Sequence, residues 1–103
     1  MIKVSVLYPA GDNATFDMDY YCKRHMSLVQ ERLGAACKRV AVDKGLSGGA
    51  PGTAPGYIAM GHLYFDSVGE FQTAFTPHAS ELLGDIPNYT NTKPVIQVSE
   101  VVI

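Results

Sequence analysis

Tryptophan is absent from the chain and cysteine nearly so, with Cys22 and Cys37 the only two among 103 residues. The pair forms no Cys-x-x-Cys pattern, which removes the usual zinc and dithiol motifs, and two such thiols in a cytosolic protein stay reduced. Charge is also sparse, at 17% of residues with a formal net charge of −2. Basic residues cluster only as Lys23-Arg24 and Lys38-Arg39, too short to track a phosphate backbone, so no nucleic-acid partner is expected. No apolar run approaches the length of about 20 residues that crosses a bilayer. The chain opens directly into Ile2-Lys3-Val4-Ser5-Val6, without the charged and apolar regions of a signal peptide. A cytoplasmic protein with no membrane partner is expected. His25, His62 and His78 show no His-x-x-x-His spacing and no Cys/His cluster, so neither a metal nor an obligatory cofactor is expected.

Apolar residues are plentiful, at 47%. A domain of this length buries only a modest share of its surface, so the surplus points to a second buried surface. Residues 1–103 fit one domain. Ile2 to Tyr8 alternates and is rich in β-branched residues, the pattern of a strand. Asp17 is placed as an N-cap or first-turn acid, and a helix with a broad apolar stripe runs to Leu33, where Gly34 stops it. Ala36 to about Val42 reads as a second strand and Tyr57 to Phe65 as a third. The glycine-rich segment from Gly45 to Gly56 lacks a following helix and Gly-Lys-Ser/Thr, so it is a strand connection rather than a phosphate loop. Ser67 and Glu70 have capping-box spacing for a second helix. Pro77 breaks that helix and restarts a turn that ends at Gly84. Pro94 to Ile103 is the last strand.

The order βαββαβ with right-handed crossovers gives an α+β, ferredoxin-like domain, a four-stranded antiparallel sheet with both helices on one face. Alternation in strands one, three and four leaves the other face largely apolar. A homodimer through that helix-free face, forming a dimeric α/β barrel, would cover it.

For chemistry, Tyr21 and His25 lie four apart on one helix face, and an imidazole beside a phenol can shuttle a proton near neutral pH. Spacing alone equally fits a hydrogen-bonded structural histidine. His62 reads as a core or interface residue and His78 as an exposed cap.

The run Phe16-Asp17-x-Asp19-Tyr20-Tyr21-x-x-x-His25-Met26-x-Leu28 resembles the signature of the EthD family, named for ethyl tert-butyl ether degradation. The resemblance extends to Phe65-Asp66-Ser67 and to Asp85-Ile86-Pro87-Asn88-Tyr89-Thr90. It implies the dimeric α/β-barrel superfamily, whose members include muconolactone isomerases, cofactor-free oxygenases, polyketide decarboxylases or dehydratases, and haem-binding proteins. It also implies a pocket between sheet and helices for a small hydrophobic or aromatic compound, with His25 as proton acceptor or donor. Tyr21 would orient His25 or bind an oxyanion, and Asp85 would add a second polar group. Met26, Tyr64, Phe71, Phe75 and Tyr89 would line the pocket. Accessory, non-catalytic binding in an oxidative degradation pathway and haem ligation by His25 are the alternatives. Ser27 stands where the family often has proline, and a straighter helix is the expected consequence.

Overall fold

The computed structural model describes residues 1–103. Four strands, β1 (Ile2–Pro9), β2 (Arg39–Lys44), β3 (Tyr57–Phe65) and β4 (Val95–Glu100), form one antiparallel sheet in the order β2-β3-β1-β4. This is the ferredoxin-like arrangement expected from the element order. The helical run α1 (residues 18–33) crosses from β1 to β2, and α2 (Val68–Phe75) with the short α3 (Ala79–Gly84) crosses from β3 to β4. No helix is long and apolar enough to cross a membrane.

Local chemistry accounts for the boundaries. The Asp17 carboxylate accepts from the Tyr20 backbone N–H at 3.0 Å, and the Ser67 hydroxyl accepts from that of Glu70 at 3.1 Å. Each pairs a donor that the first helical turn cannot satisfy. Pro77 ends α2 in a 3₁₀ turn, Thr76–His78, before α3 begins. The second strand starts at Arg39 rather than Ala36, because a 3₁₀ turn at Gly34–Ala36 takes up the residues after α1. The last strand ends at Glu100, leaving Val102 and Ile103 exposed.

Both helices pack on one face. Val4 and Tyr8 of β1 and Ala59, Leu63 and Phe65 of β3 meet Tyr21, Met26, Val29 and Leu33 of α1 and Leu82 of α3. The thinnest extent of the molecule is 19 Å, one sheet and one helical layer, so the second sheet face is bare. That face is less apolar than alternation implied. Cross-strand register places Lys3, Ser5, Leu7, Arg39, Asp43, Met60, His62, Tyr64 and Gln97 there. Its centre is a polar chain in which His62 bridges Ser5 Oγ, 3.0 Å from Nδ1, and Asp43, 3.1 Å from Nε2. The Arg39 guanidinium lies 4.9 Å from the Tyr64 ring centre, within cation–π range.

Gly34 closes α1 at φ 61° and ψ −144°, backbone that essentially only glycine adopts without strain. A Cβ there would meet no neighbour, so the cost of Gly34→Ala is conformational alone. Urea denaturation is expected to show a loss of about 1–3 kcal/mol for Gly34→Ala and almost none for the loop control Gly11→Ala.

Candidate functional site

The first helix is not a regular α-helix. Met18–Tyr20 is α-helical, Tyr21–His25 forms a π turn, and Met26–Leu33 is α-helical again. Single π turns inside α-helices are uncommon and occur often at functional sites. Ser27, where the family often has proline, donates its hydroxyl to the Lys23 carbonyl at 2.8 Å and satisfies an acceptor at the edge of the wide turn. The π turn brings the two expected residues into register: the Tyr21 and His25 rings stack at 5.5 Å between centres and 14° between planes.

Burial puts both side chains inside the domain, with Tyr21 and His25 at 2% and 6% exposure. Buried polar groups need partners, and a continuous chain supplies them. Asp85, just after α3, accepts from the Tyr20 hydroxyl at 2.7 Å, from Asn88 Nδ2 at 2.9 Å and from His25 Nδ1 at 2.9 Å. On the far side of the imidazole, the Tyr89 hydroxyl lies 3.5 Å from Nε2 and 2.6 Å from the Tyr8 hydroxyl. The Tyr21 hydroxyl sits beside that of Tyr8.

The loop that carries Asp85 and Tyr89 is itself tied down. The Tyr89 carbonyl accepts from the Asp17 N–H at 2.7 Å, and the Thr90 hydroxyl donates to the Thr15 carbonyl at 2.7 Å. Phe16 and Tyr89 meet edge to face at 5.4 Å, inside a wider aromatic cluster with Tyr8 and Tyr21. Such pairs are each worth about 0.5–1.5 kcal/mol beyond the area they bury.

The electrostatics follow from these contacts. Burial lowers the proton affinity of His25, and Asp85 offsets this only in part, so the ring is neutral at pH 7. With Nδ1–H directed at a carboxylate, Nε2 carries the lone pair and faces the Tyr89 hydroxyl. Burial pushes the Asp85 carboxyl upward, but donation from Asn88, His25 and Tyr20 outweighs it and holds the group below the ordinary carboxylate range. Burial drives the Tyr8, Tyr21 and Tyr89 hydroxyls well above their usual range, so all three are neutral donors.

A cavity of about 100 Å³ adjoins this chain. Its walls include Val4, Val6, Leu63, Phe71, Phe75 and Leu82, and its polar edge is formed by His25, Tyr21 and Tyr8. Of the eight residues singled out from sequence, Tyr21, His25, Met26, Phe71 and Phe75 line it together. Asp85 and Tyr89 do not line it; they flank the imidazole, one at each ring nitrogen. Tyr64 does not belong to the site. It pairs with Lys3 and Arg39 across the sheet and projects from the helix-free face. Tyr8, Tyr20, Asn88 and Gly61 were not anticipated. Tyr20 and Asn88 lie inside the two recognisable runs, and Gly61 is an unexplained glycine in a strand interior, which signals close approach of another group. No three His, Cys, Asp or Glu side chains come together as a metal site.

A family model described as "EthD domain" matches residues 12–93. The chain belongs to the EthD family. An EthD-like protein from Ralstonia eutropha JMP134 superimposes with a TM-score of 0.94 at 50% identity, over 99% of this chain and 92% of that one. An ethyl tert-butyl ether degradation (EthD) family protein from Bacillus halodurans C-125 gives 0.75 at 18% identity, over 99% of both chains. A ferredoxin-like protein from Bacteroides fragilis NCTC 9343, described as dimeric and of unknown function, gives 0.60 at 12% identity, over 97% and 95% of the two chains. No functionally curated protein matches the chain.

The pH dependence has a definite sign. An unfolded histidine titrates near 6.5, and His25 in the fold titrates lower, so the unfolded chain binds the proton first and stability falls as pH drops. The His25 contribution is fully present above pH about 6.5 and is lost as pH falls through the folded value. The lowered Asp85 carboxyl adds a further loss in the acid range. Urea midpoints are expected to stay level from pH 8 to 7 and to decline below about 6.5. His25→Gln should remove the upper part of that decline while the carboxylate part remains.

Proposed function

We propose that the chain binds a small, largely apolar compound between sheet and helices and moves a proton on it with His25. The observation that carries this reading is a neutral imidazole, oriented by a carboxylate at 2.9 Å, at the edge of an apolar cavity. A buried base of this kind needs no further deprotonation at pH 7. On a carbon acid, Nε2 takes the proton as the C–H bond breaks, and the electron pair moves onto the conjugated oxygen. The Tyr21 hydroxyl donates to the oxygen as charge develops, and Asp85 stabilises the imidazolium. Reprotonation at another carbon gives an isomerase, and loss of a leaving group gives a lyase. Reaction of the carbanion with dioxygen gives a cofactor-free oxygenase.

The second reading, non-catalytic binding in an accessory role, draws on the same geometry. Both imidazole nitrogens have protein partners, as a purely structural histidine would. Haem ligation does not fit. Nε2, the nitrogen left for iron, faces Tyr89, and a cavity of about 100 Å³ is far too small for a porphyrin.

Oligomeric state belongs to the same proposal. Sixteen of 103 residues are buried, and the bare sheet face sets Leu7, Met60 and Val95 around the Ser5–His62–Asp43 chain. A homodimer through this face covers it and leaves one pocket on the helix side of each subunit.

Deuterium exchange into small cyclic ketones, followed by NMR in D₂O, tests the base. Wild type should accelerate exchange and His25→Ala should lower the acceleration by about 10²-fold or more, with binding retained. Undiminished exchange in His25→Ala contradicts proton transfer by this residue, and binding without exchange in wild type supports the accessory reading. Sedimentation equilibrium at micromolar concentration should give a dimer; a monomer rejects the proposed interface.

A further inference from the structure

The cavity wall is apolar almost throughout, yet three phenolic oxygens are gathered at one end of it. Two are committed. Tyr8 and Tyr89 are bonded to each other at 2.6 Å, and Tyr89 also faces His25 Nε2. Tyr21 lies beside Tyr8 but has no contact as close, and its ring is 2% exposed and borders the cavity. Its hydroxyl has only the looser contact to Tyr8, so it is the donor at this end that can turn to a ligand.

The seat of that hydroxyl is Gly61. In the middle of β3, Gly61 pairs with Val6 and Val42 on the helix-facing side of the sheet. A Cβ built on it would overlap the Tyr21 hydroxyl oxygen, with the ring carbon that bears the hydroxyl 3.4 Å away. Glycine weakens a strand interior, and it is kept where another group must approach the backbone closely. Here the approaching group is a phenol, and the φ of Gly61 is not positive. Space, rather than backbone conformation, is therefore what the glycine supplies.

We infer that Gly61 and Tyr21 together form an oxygen subsite that sets ligand choice, so that the cavity selects small monocyclic compounds with one carbonyl or phenolic oxygen over hydrocarbons of the same shape. Gly61 is a positioning residue and Tyr21 is the group that touches the ligand. The inference rests on the binding pocket proposed above, not on proton transfer by His25. Polar discrimination of this kind arises because a ligand without the oxygen fills the same space but leaves the buried O–H with only its loose contact to Tyr8.

Calorimetric titration with p-cresol and toluene, two rings of nearly the same shape, reads the subsite directly. Wild type should bind p-cresol about tenfold more tightly than toluene. Tyr21→Phe should bind the two alike. Gly61→Ala should lose the preference and melt earlier, and Gly61→Ala with Tyr21→Phe should recover the melting temperature without the preference, because the colliding oxygen is gone. His25→Gln should keep the preference. Equal affinity of wild type for both compounds, or a Gly61→Ala protein with unchanged preference and melting, overturns the subsite. If wild type binds neither compound, the subsite and the pocket reading fail together. A retained preference with no ketone exchange leaves the subsite standing and removes only the catalytic reading.

Discussion

The Asp85 carboxylate is the interaction on which the interior of this domain depends. It is the one charge in this polar chain and receives three hydrogen bonds, from Tyr20, Asn88 and the buried His25. A buried imidazole or phenol left unpaired costs about 1–3 kcal/mol. By accepting the hydrogen bond from His25 Nδ1, Asp85 fixes which nitrogen faces Tyr89. Tyr89 in turn gives the Tyr8 hydroxyl a partner inside an otherwise aromatic core. The same carboxylate joins the segment after α3 to the start of α1, so the loop before β4 is part of the site rather than a simple connection.

The fold was legible because its signals are local. The capping acids and hydroxyls, the glycine stop at Gly34 and the break at Pro77 each act within a turn or two, and each works as its chemistry requires. The sheet faces were harder to read. In β3, Met60 and Tyr64 alternate with Ala59, Leu63 and Phe65, so both faces carry large or apolar residues and alternation cannot choose between them. That is why Tyr64 was expected in the pocket, whereas register puts it outside. The polar chain through His62 escaped notice for a related reason. It forms only when Ser5 and Asp43 arrive from two other strands.

The site was half legible. Tyr21 and His25 were found from their spacing and their resemblance to a family signature, although the π turn that stacks them leaves no mark on a broad apolar stripe. Asp85 was found as a member of a recognisable run, and its real task, orienting the imidazole from 60 residues away, needed the tertiary structure. Tyr8 looked like one more inward strand residue. Membership of the EthD family identifies the scaffold, and the function then has to be argued from the arrangement on it. Here that arrangement is a neutral imidazole, a set of phenolic donors and an apolar wall. Under the dimer proposed above, association and binding use opposite faces of the sheet.

The central claim is that His25 is a neutral base whose proton sits on Nδ1, facing Asp85. The most direct measurement is the ¹⁵N chemical shifts of the His25 ring followed against pH by NMR. The account predicts a protonated Nδ1 and a bare Nε2 at pH 7, with titration below about 6.5 and a further downward shift in Asp85→Asn. A ring protonated on Nε2 at pH 7, or titration above the ordinary histidine value, would contradict it.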